Sequence, residues 1–138
     1  MMKNSKGFTL IEVLLVVVIL GILSGMIIPR LVGRAEQTRV NVARTDIEAG
    51  LAEVLDLYEL DNGKYPASLQ DLLNKPSGAR NWNGPYVKKK AVPKDPWGNP
   101  YIYRFPGQNN SGGYDLLSGG PDGVEGGNDD ITNWELDE

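Results

Sequence analysis

The 138-residue chain contains no cysteine and no histidine. Without cysteine, no disulfide can staple a domain, even in an oxidising compartment that would permit one. Without histidine, the commonest general base and the commonest transition-metal ligand are both missing. There is no glycine-rich phosphate loop and no nucleophile elbow. These absences read as not an enzyme. Positive charge is scarce as well: 14 Lys and Arg stand against 18 Asp and Glu, and none of the 14 lies beyond residue 104. Nucleic-acid binding needs a basic face, so nucleic acid is excluded as the main partner.

Long apolar sequence, by contrast, is abundant at the start. Residues 8–29 hold a single charge, Glu12. At about 1.5 Å per residue, residues 8–28 span roughly 30 Å as a helix, the thickness of a bilayer's hydrocarbon. The segment reads as a transmembrane helix. An unpaired acid in it costs about 2.5–3.5 kcal/mol at mid-depth and less near the interface. Glu12 lies about one turn in. It is protonated, snorkels to the head groups, or meets a cation such as an amine at the start of this helix or a neighbour's; these alternatives stay open here. A secretory signal fits poorly, because its apolar core is only about 7–15 residues. Leu23-Ser24-Gly25-Met26 is also a weak cleavage site. Lys3 and Lys6 before the segment balance Arg30 and Arg34 after it, so charge leaves the orientation open.

Lys6-Gly7-Phe8-Thr9-Leu10-Ile11-Glu12 resembles the prepilin-peptidase site of type IV pilins and type II secretion pseudopilins. The resemblance implies a leader of residues 1–7 removed by prepilin peptidase between Gly7 and Phe8. It implies a methylated Phe8 amine, and Glu12 as the assembly carboxylate that meets a neighbouring subunit's amine. Such a pair is satisfied at one axial offset and left bare at others, which would set register along a filament. Losing the leader removes Lys3 and Lys6, leaving 12 basic against 18 acidic side chains, a net charge of −6.

The expected organisation is a leader at 1–7, a transmembrane and assembly helix at 8–33 and a periplasmic domain at 34–138. About 105 residues follow position 33, enough for one small core. Val40, Ala43, Ile47, Leu51, Val54 and Tyr58 recur at spacings of three and four, the stripe of an amphipathic helix. Gly50 within that stripe suggests close packing, and Asp61-Asn62-Gly63 suggests a left-handed cap. Pro29 is expected to kink the helix, with Gly21 and Ser24-Gly25 as weak points upstream. Gly and Pro are also simply common in transmembrane helices. The resemblance implies that Gly21 to Pro29 loses helicity on assembly.

Ser68 followed by Asp71 predicts a short capped helix. Residues 101–105 and 114–118 read as paired antiparallel strands. The fold class expected is α+β, a pilin-like fold: a long N-terminal helix on a small antiparallel sheet, with a C-terminal metal-binding loop.

Residues 105–138 hold eight acidic residues and eight glycines. Such a run by itself is usually a solvated tail. Ile131 and Trp134 argue for a folded segment instead. Gly119-Gly120-Pro121-Asp122-Gly123 with Asp129-Asp130 gathers hard oxygens of the kind calcium takes, although not in EF-hand spacing. This run, with Tyr65-Pro66 and 95–101 (Asp-Pro-Trp-Gly-Asn-Pro-Tyr), looks like the major pseudopilins of type II secretion. That resemblance implies a Ca2+ ion held by Asp122, Asp129 and Asp130, with carbonyls such as those of Gly119 and Val124. It implies an inner-membrane protein with a periplasmic domain that polymerises with itself. The implied partners are minor pseudopilins, prepilin peptidase, the inner-membrane assembly platform with its ATPase, and secreted exoproteins driven through the outer-membrane secretin. A surface type IV pilin and a lone membrane-anchored calcium module are the alternatives. Two observations favour the pseudopilin over the surface pilin: there is no C-terminal cysteine pair, and the three Asp residues are present.

Overall fold

The computed structural model describes residues 7–134, except for the side chains of residues 28–32. Residues 1–6 of the expected leader and the side chains of Pro29 and Arg30 thus lie outside the described residues. The chain divides into two compact units between Gln37 and Thr38.

In the first unit the dominant element is α1, Leu10–Thr45, which continues past the division. Its stretch Leu10–Ile27 has a mean hydropathy of 2.8, and none of it is buried. Consecutive positions on a helix point about 100° apart. Val16, Val17 and Val18 are all more than half exposed, so no face is kept for a core of the chain's own. A helix apolar on every side needs an apolar medium, and 18 residues approach the length of a membrane span. Helical backbone continues through position 29, so Pro29 does not end α1.

The second unit begins with the last turns of α1. A π-helical turn, Asp46–Gly50, follows, and then α2, Leu51–Asn62. Ala43, Ile47, Leu51, Leu55 and Tyr58 are buried along this stretch. In a pure α-helix each four-residue step overshoots one turn by about 40°. The wider π turn rotates less per residue and returns the line to one face. One expectation is extended here and one corrected. All six stripe residues lie in the core or against it, Val40 and Val54 half-buried, and Leu55 joins them fully buried. Gly50 is not closely packed, since a Cβ there would come no nearer than 3.6 Å to Asp46 Oδ1. The end of α2 is as expected: Gly63 takes φ +77°, and its N–H donates to the Glu59 carbonyl at 2.7 Å.

A 3-10 helix, Leu69–Leu72, stands where a short helix was expected. The Asp71 carboxylate accepts from the N–H groups of Ala67 and Ser68 and from the Ser68 hydroxyl at 3.1–3.3 Å, which starts the turn. The sheet contains β1 (Ile102–Arg104), β2 (Asp115–Ser118) and β3 (Ile131–Thr132), antiparallel in that order. Tyr103 faces Leu116, and Ser118 faces Ile131. Leu116 and Ile131 join Ile47, Leu51, Leu55, Tyr58 and Leu72 in one core. The expected α+β arrangement is present, with β3 as an unforeseen third strand. Tyr101 ties the π turn to the region before β1, its hydroxyl donating to Asp46 Oδ2 at 2.8 Å. Burial, reinforced by that carboxylate, pushes the Tyr101 phenol well above its usual pKa.

Asp115 opens β2 fully buried. Its carboxylate accepts from the N–H groups of Gln108, Asn109 and Asn110 at 2.8–3.0 Å, and from the Asn109 side chain at 3.1 Å. Burial alone would raise its pKa. The donors outweigh it, above all the Asn109 and Asn110 amides, and hold the carboxyl below its usual range. A folded-state pKa below the unfolded value of about 3.9 contributes stability above that pH, lost as pH falls through the lowered value. Melting of the full chain in detergent from pH 7 to pH 3 checks this. Asp115→Asn is expected to be less stable at neutral pH by about 2 kcal/mol and to lose less on acidification. Parallel slopes would contradict it.

Candidate functional site

At the start of α1, Phe8 is 85% exposed and Thr9 is the N-cap. The Glu12 N–H donates to Thr9 Oγ1 at 3.3 Å. In return, Glu12 Oε2 accepts from the Thr9 N–H at 3.3 Å and the Thr9 hydroxyl at 3.4 Å. This is a reciprocal capping box at the positive end of the helix dipole, where a carboxylate is stabilised. Thr9-x-x-Glu12 ahead of an apolar run is its sequence signature, and the Thr9 side was missed. A Cβ on Gly21 would meet nothing within 4 Å, so no contact requires glycine there.

The C-terminal segment is a folded loop. The tail alternative is overturned by β3, which pairs with β2, and by Asn133. The Leu116 N–H donates to Asn133 Oδ1 at 2.9 Å, the Asn133 amide donates to the Tyr114 carbonyl at 3.0 Å, and the Asn133 N–H donates to the Leu116 carbonyl at 3.1 Å. Ile131 is buried and Trp134 half-buried. The role of Asn133 is not legible from spacing, because a side chain that mimics a strand edge has no periodicity.

The loop's other root is a buried polar chain. Ser118 Oγ donates to Asp95 Oδ2 at 2.7 Å and accepts from the Gly120 N–H at 3.2 Å. Asp95 Oδ1 accepts from the N–H groups of Trp97 and Asn99 at 3.1 and 2.8 Å. The turn of residues 95–99 thereby supports the Gly120–Asp122 3-10 turn. Gly120 has φ +61°, and a Cβ there would run into the Asp129 carbonyl. Gly123 has φ +71°, and a Cβ there would lie 2.7 Å from Asn99 Nδ2.

This frame places the expected ligands. Asp129 Oδ2 accepts from the Asp122 N–H at 3.3 Å, and Asp122 Oδ1 accepts from the Val124 N–H at 2.8 Å. Space beside Gly127 is bordered by both carboxylates: Asp129 Oδ1, and Asp122 Oδ2 at 3.6 Å from where a Cβ would stand. Asp130 Oδ2 accepts from the Gly126 N–H at 2.7 Å, while its Oδ1 is buried with no hydrogen-bond partner. The Gly119 carbonyl accepts from the Gly123 N–H at 3.0 Å, and Val124 is 63% exposed. Among the described residues no three acidic side chains converge as a ready metal cluster. Asp122 and Asp129 are together, and Asp130 is turned to the loop backbone. The orphaned buried oxygen of Asp130 and the paired Asp122 and Asp129 carboxylates are donors of the type a hard, oxygen-seeking cation takes, and a cation shared by all three would have to draw Asp130 toward the other two.

Residues 30–134 match the model of the type II secretion system (T2SS), protein G, family. The chain belongs to that family. Residues 2–28 match the prokaryotic N-terminal methylation motif. The type II secretion system core protein G of Pseudomonas aeruginosa is 48% identical, the match covering 96% of this chain and 97% of that one. Its counterpart from Aeromonas hydrophila is 45% identical over 97% of this chain and 95% of its own. The crystal structure of the major pseudopilin from the type 2 secretion system of enterohaemorrhagic Escherichia coli matches with a TM-score of 0.66 and 36% identity, over 78% of this chain and 92% of that one. Membership in the protein G family decides for the major pseudopilin over the surface type IV pilin. With the methylation motif, the bare apolar helix marks a membrane-anchored protein.

Gly120→Ala is expected to strain the backbone at a left-handed position and displace Asp129, a cost of about 1–3 kcal/mol. Hydrogen exchange of the full chain should then speed up across residues 119–130 and leave α2 unchanged. Native protection in that loop would contradict the packing described.

Proposed function

We propose that this protein is the repeating subunit of a type II secretion pseudopilus, with a structural rather than catalytic role. Prepilin peptidase cuts after Gly7 and the new Phe8 amine is methylated. The apolar part of α1 holds the subunit in the inner membrane, with the second unit in the periplasm. The assembly platform and its ATPase add subunits beneath minor pseudopilins, and the growing filament drives folded exoproteins through the outer-membrane secretin.

The observation that carries this reading is an 18-residue helical span, apolar on every side and with none of it buried, that carries a single carboxylate near its start. Lipid covers such a helix in the free subunit, and neighbouring copies cover it in a filament. Glu12 supplies the direction. Its carboxylate, held by Thr9 in the single chain, exchanges that partner for a neighbour's cationic amine, and the pair fixes the axial offset.

The C-terminal loop holds Ca2+ in this reading. Asp122, Asp129 and Asp130 would ligate it, with carbonyls of residues such as Gly119 and Val124 completing the shell. When bound, the ion supplies positive charge that offsets the repulsion among these carboxylates. The chain's own contribution is to hold the donors: β3 and Asn133 fix one root of the loop, and Asp95 with Ser118 fixes the other. In a domain without disulfides, a cation bound only by the folded form stabilises it by mass action.

Glu12→Ala should leave membrane insertion intact and abolish or disrupt filament assembly and secretion, read by membrane fractionation and by electron microscopy of sheared filaments. Normal filaments with this variant would overturn the filament reading. Asp122→Ala should lower the melting temperature of the full chain in calcium to that of the chelator-treated native protein. A native melting temperature would overturn the cation loop.

A further inference from the structure

Arg104 is the last residue of β1, outside the group of expected ligands, yet it reaches the acidic loop. Its Nη1 donates to Glu125 Oε1 at 2.7 Å and its Nη2 to Glu125 Oε2 at 2.6 Å. Both side chains are about a third exposed, at 35% and 40%. An ordinary exposed ion pair contributes little to stability. This one is a two-pronged fork, the geometry in which a guanidinium fixes orientation as well as distance.

What the fork orients is decided by the neighbours of Glu125. Val124, just before it, donates its N–H to Asp122 Oδ1 at 2.8 Å. Gly126, just after it, donates its N–H to Asp130 Oδ2 at 2.7 Å. The N–H groups of the residues on either side of Glu125 therefore each hold one of the carboxylates assigned to the cation. The span 123–127 also contains three glycines, of which Gly123 and Gly126 adopt positive φ. Such backbone is easily rearranged unless something external fixes it. At the other end of the fork, Arg104 pairs in register with Asp115, whose buried carboxylate anchors the β1–β2 connection. The fork thus ties the middle of a glycine-rich loop to a rigid strand.

We infer that Arg104 is a positioning residue for the cation loop: through Glu125 it sets the 124 and 126 amides, and through them the directions of Asp122 and Asp130. The inference rests on the cation-loop reading above and deepens it. Preorganised donors bind more tightly because less ordering remains to be done on binding.

The sign of the effect separates this from simple charge. Arg104 is a cation close to a cation site. By Coulomb's law alone, removing it should tighten calcium binding. The fork predicts the reverse. Calorimetric titration of the full chain in detergent with calcium chloride reads the Kd, and the melting temperature in chelator reads the fold. Arg104→Met is expected to weaken calcium roughly tenfold while shifting the chelated melting temperature little, since exposed pairs are worth little to folding. Arg104→Lys keeps the charge but not the fork, and should give an intermediate Kd. Arg104→Met with Glu125→Gln restores the local net charge and should bind as weakly as Arg104→Met alone. Native or tighter affinity in Arg104→Met and Arg104→Lys would overturn the inference and leave the cation loop standing. Absence of calcium binding by the native chain would overturn both.

Discussion

An apolar helix that packs against nothing in its own chain must be covered by something else. Leu10–Ile27 imposes that constraint. Lipid satisfies the helix in a single subunit, and copies of the same helix satisfy it in a filament. Dispersion and burial are non-directional, so apolar residues alone would permit many sliding offsets. In the proposed filament, Glu12 would remove that freedom. A carboxylate at the edge of hydrocarbon is tolerable only with donors around it, and in the single chain Thr9 provides them. Any stronger partner has to lie at a fixed height along the axis, which is how one charge can turn an apolar rod into a register mark.

The second unit solves a different problem, closing a small domain without cysteine. Its C-terminal segment carries glycine and negative charge in proportions that would leave it unfolded by itself. It is held by polar side chains acting as backbone surrogates. Asn133 extends the edge of β2, Ser118 passes a hydrogen bond from Asp95 to Gly120, and Asp115 gathers three amides of the preceding connection. Asp122 and Asp129 are then left together, while Asp130, turned to the loop backbone, keeps one buried oxygen unpartnered. In the proposed cation-loop reading, that costly oxygen is what a bound cation would relieve.

Much of this was legible in the sequence because it rested on period, length or a short motif. The apolar run, the helical stripe through Ala43, Ile47, Leu51 and Tyr58, the Gly63 cap and the two longer strands all have such signatures. Three features did not. The π turn at Asp46–Gly50 brings Leu55 into the buried line next to half-buried Val54, and a one-residue change of phase is invisible to a count of threes and fours. β3 is two residues long, too short to alternate. The side chains that root the C-terminal loop act across 17 to 23 residues of sequence, and nothing local distinguishes Asn133 or Ser118 from ordinary surface polar residues. The loop acids were singled out by residue type and by resemblance. Their supports, Asn133 and Arg104 among them, were found only once the fold brought distant segments together.

The most direct test is the position of the Glu12 carboxylate in an assembled filament, seen at side-chain resolution by electron cryomicroscopy. The account predicts a carboxylate oxygen within about 4 Å of the Phe8 amine of a neighbouring subunit, the reach of an ion pair. A filament that still supports secretion, with every Glu12 bonded only to its own Thr9, would contradict it.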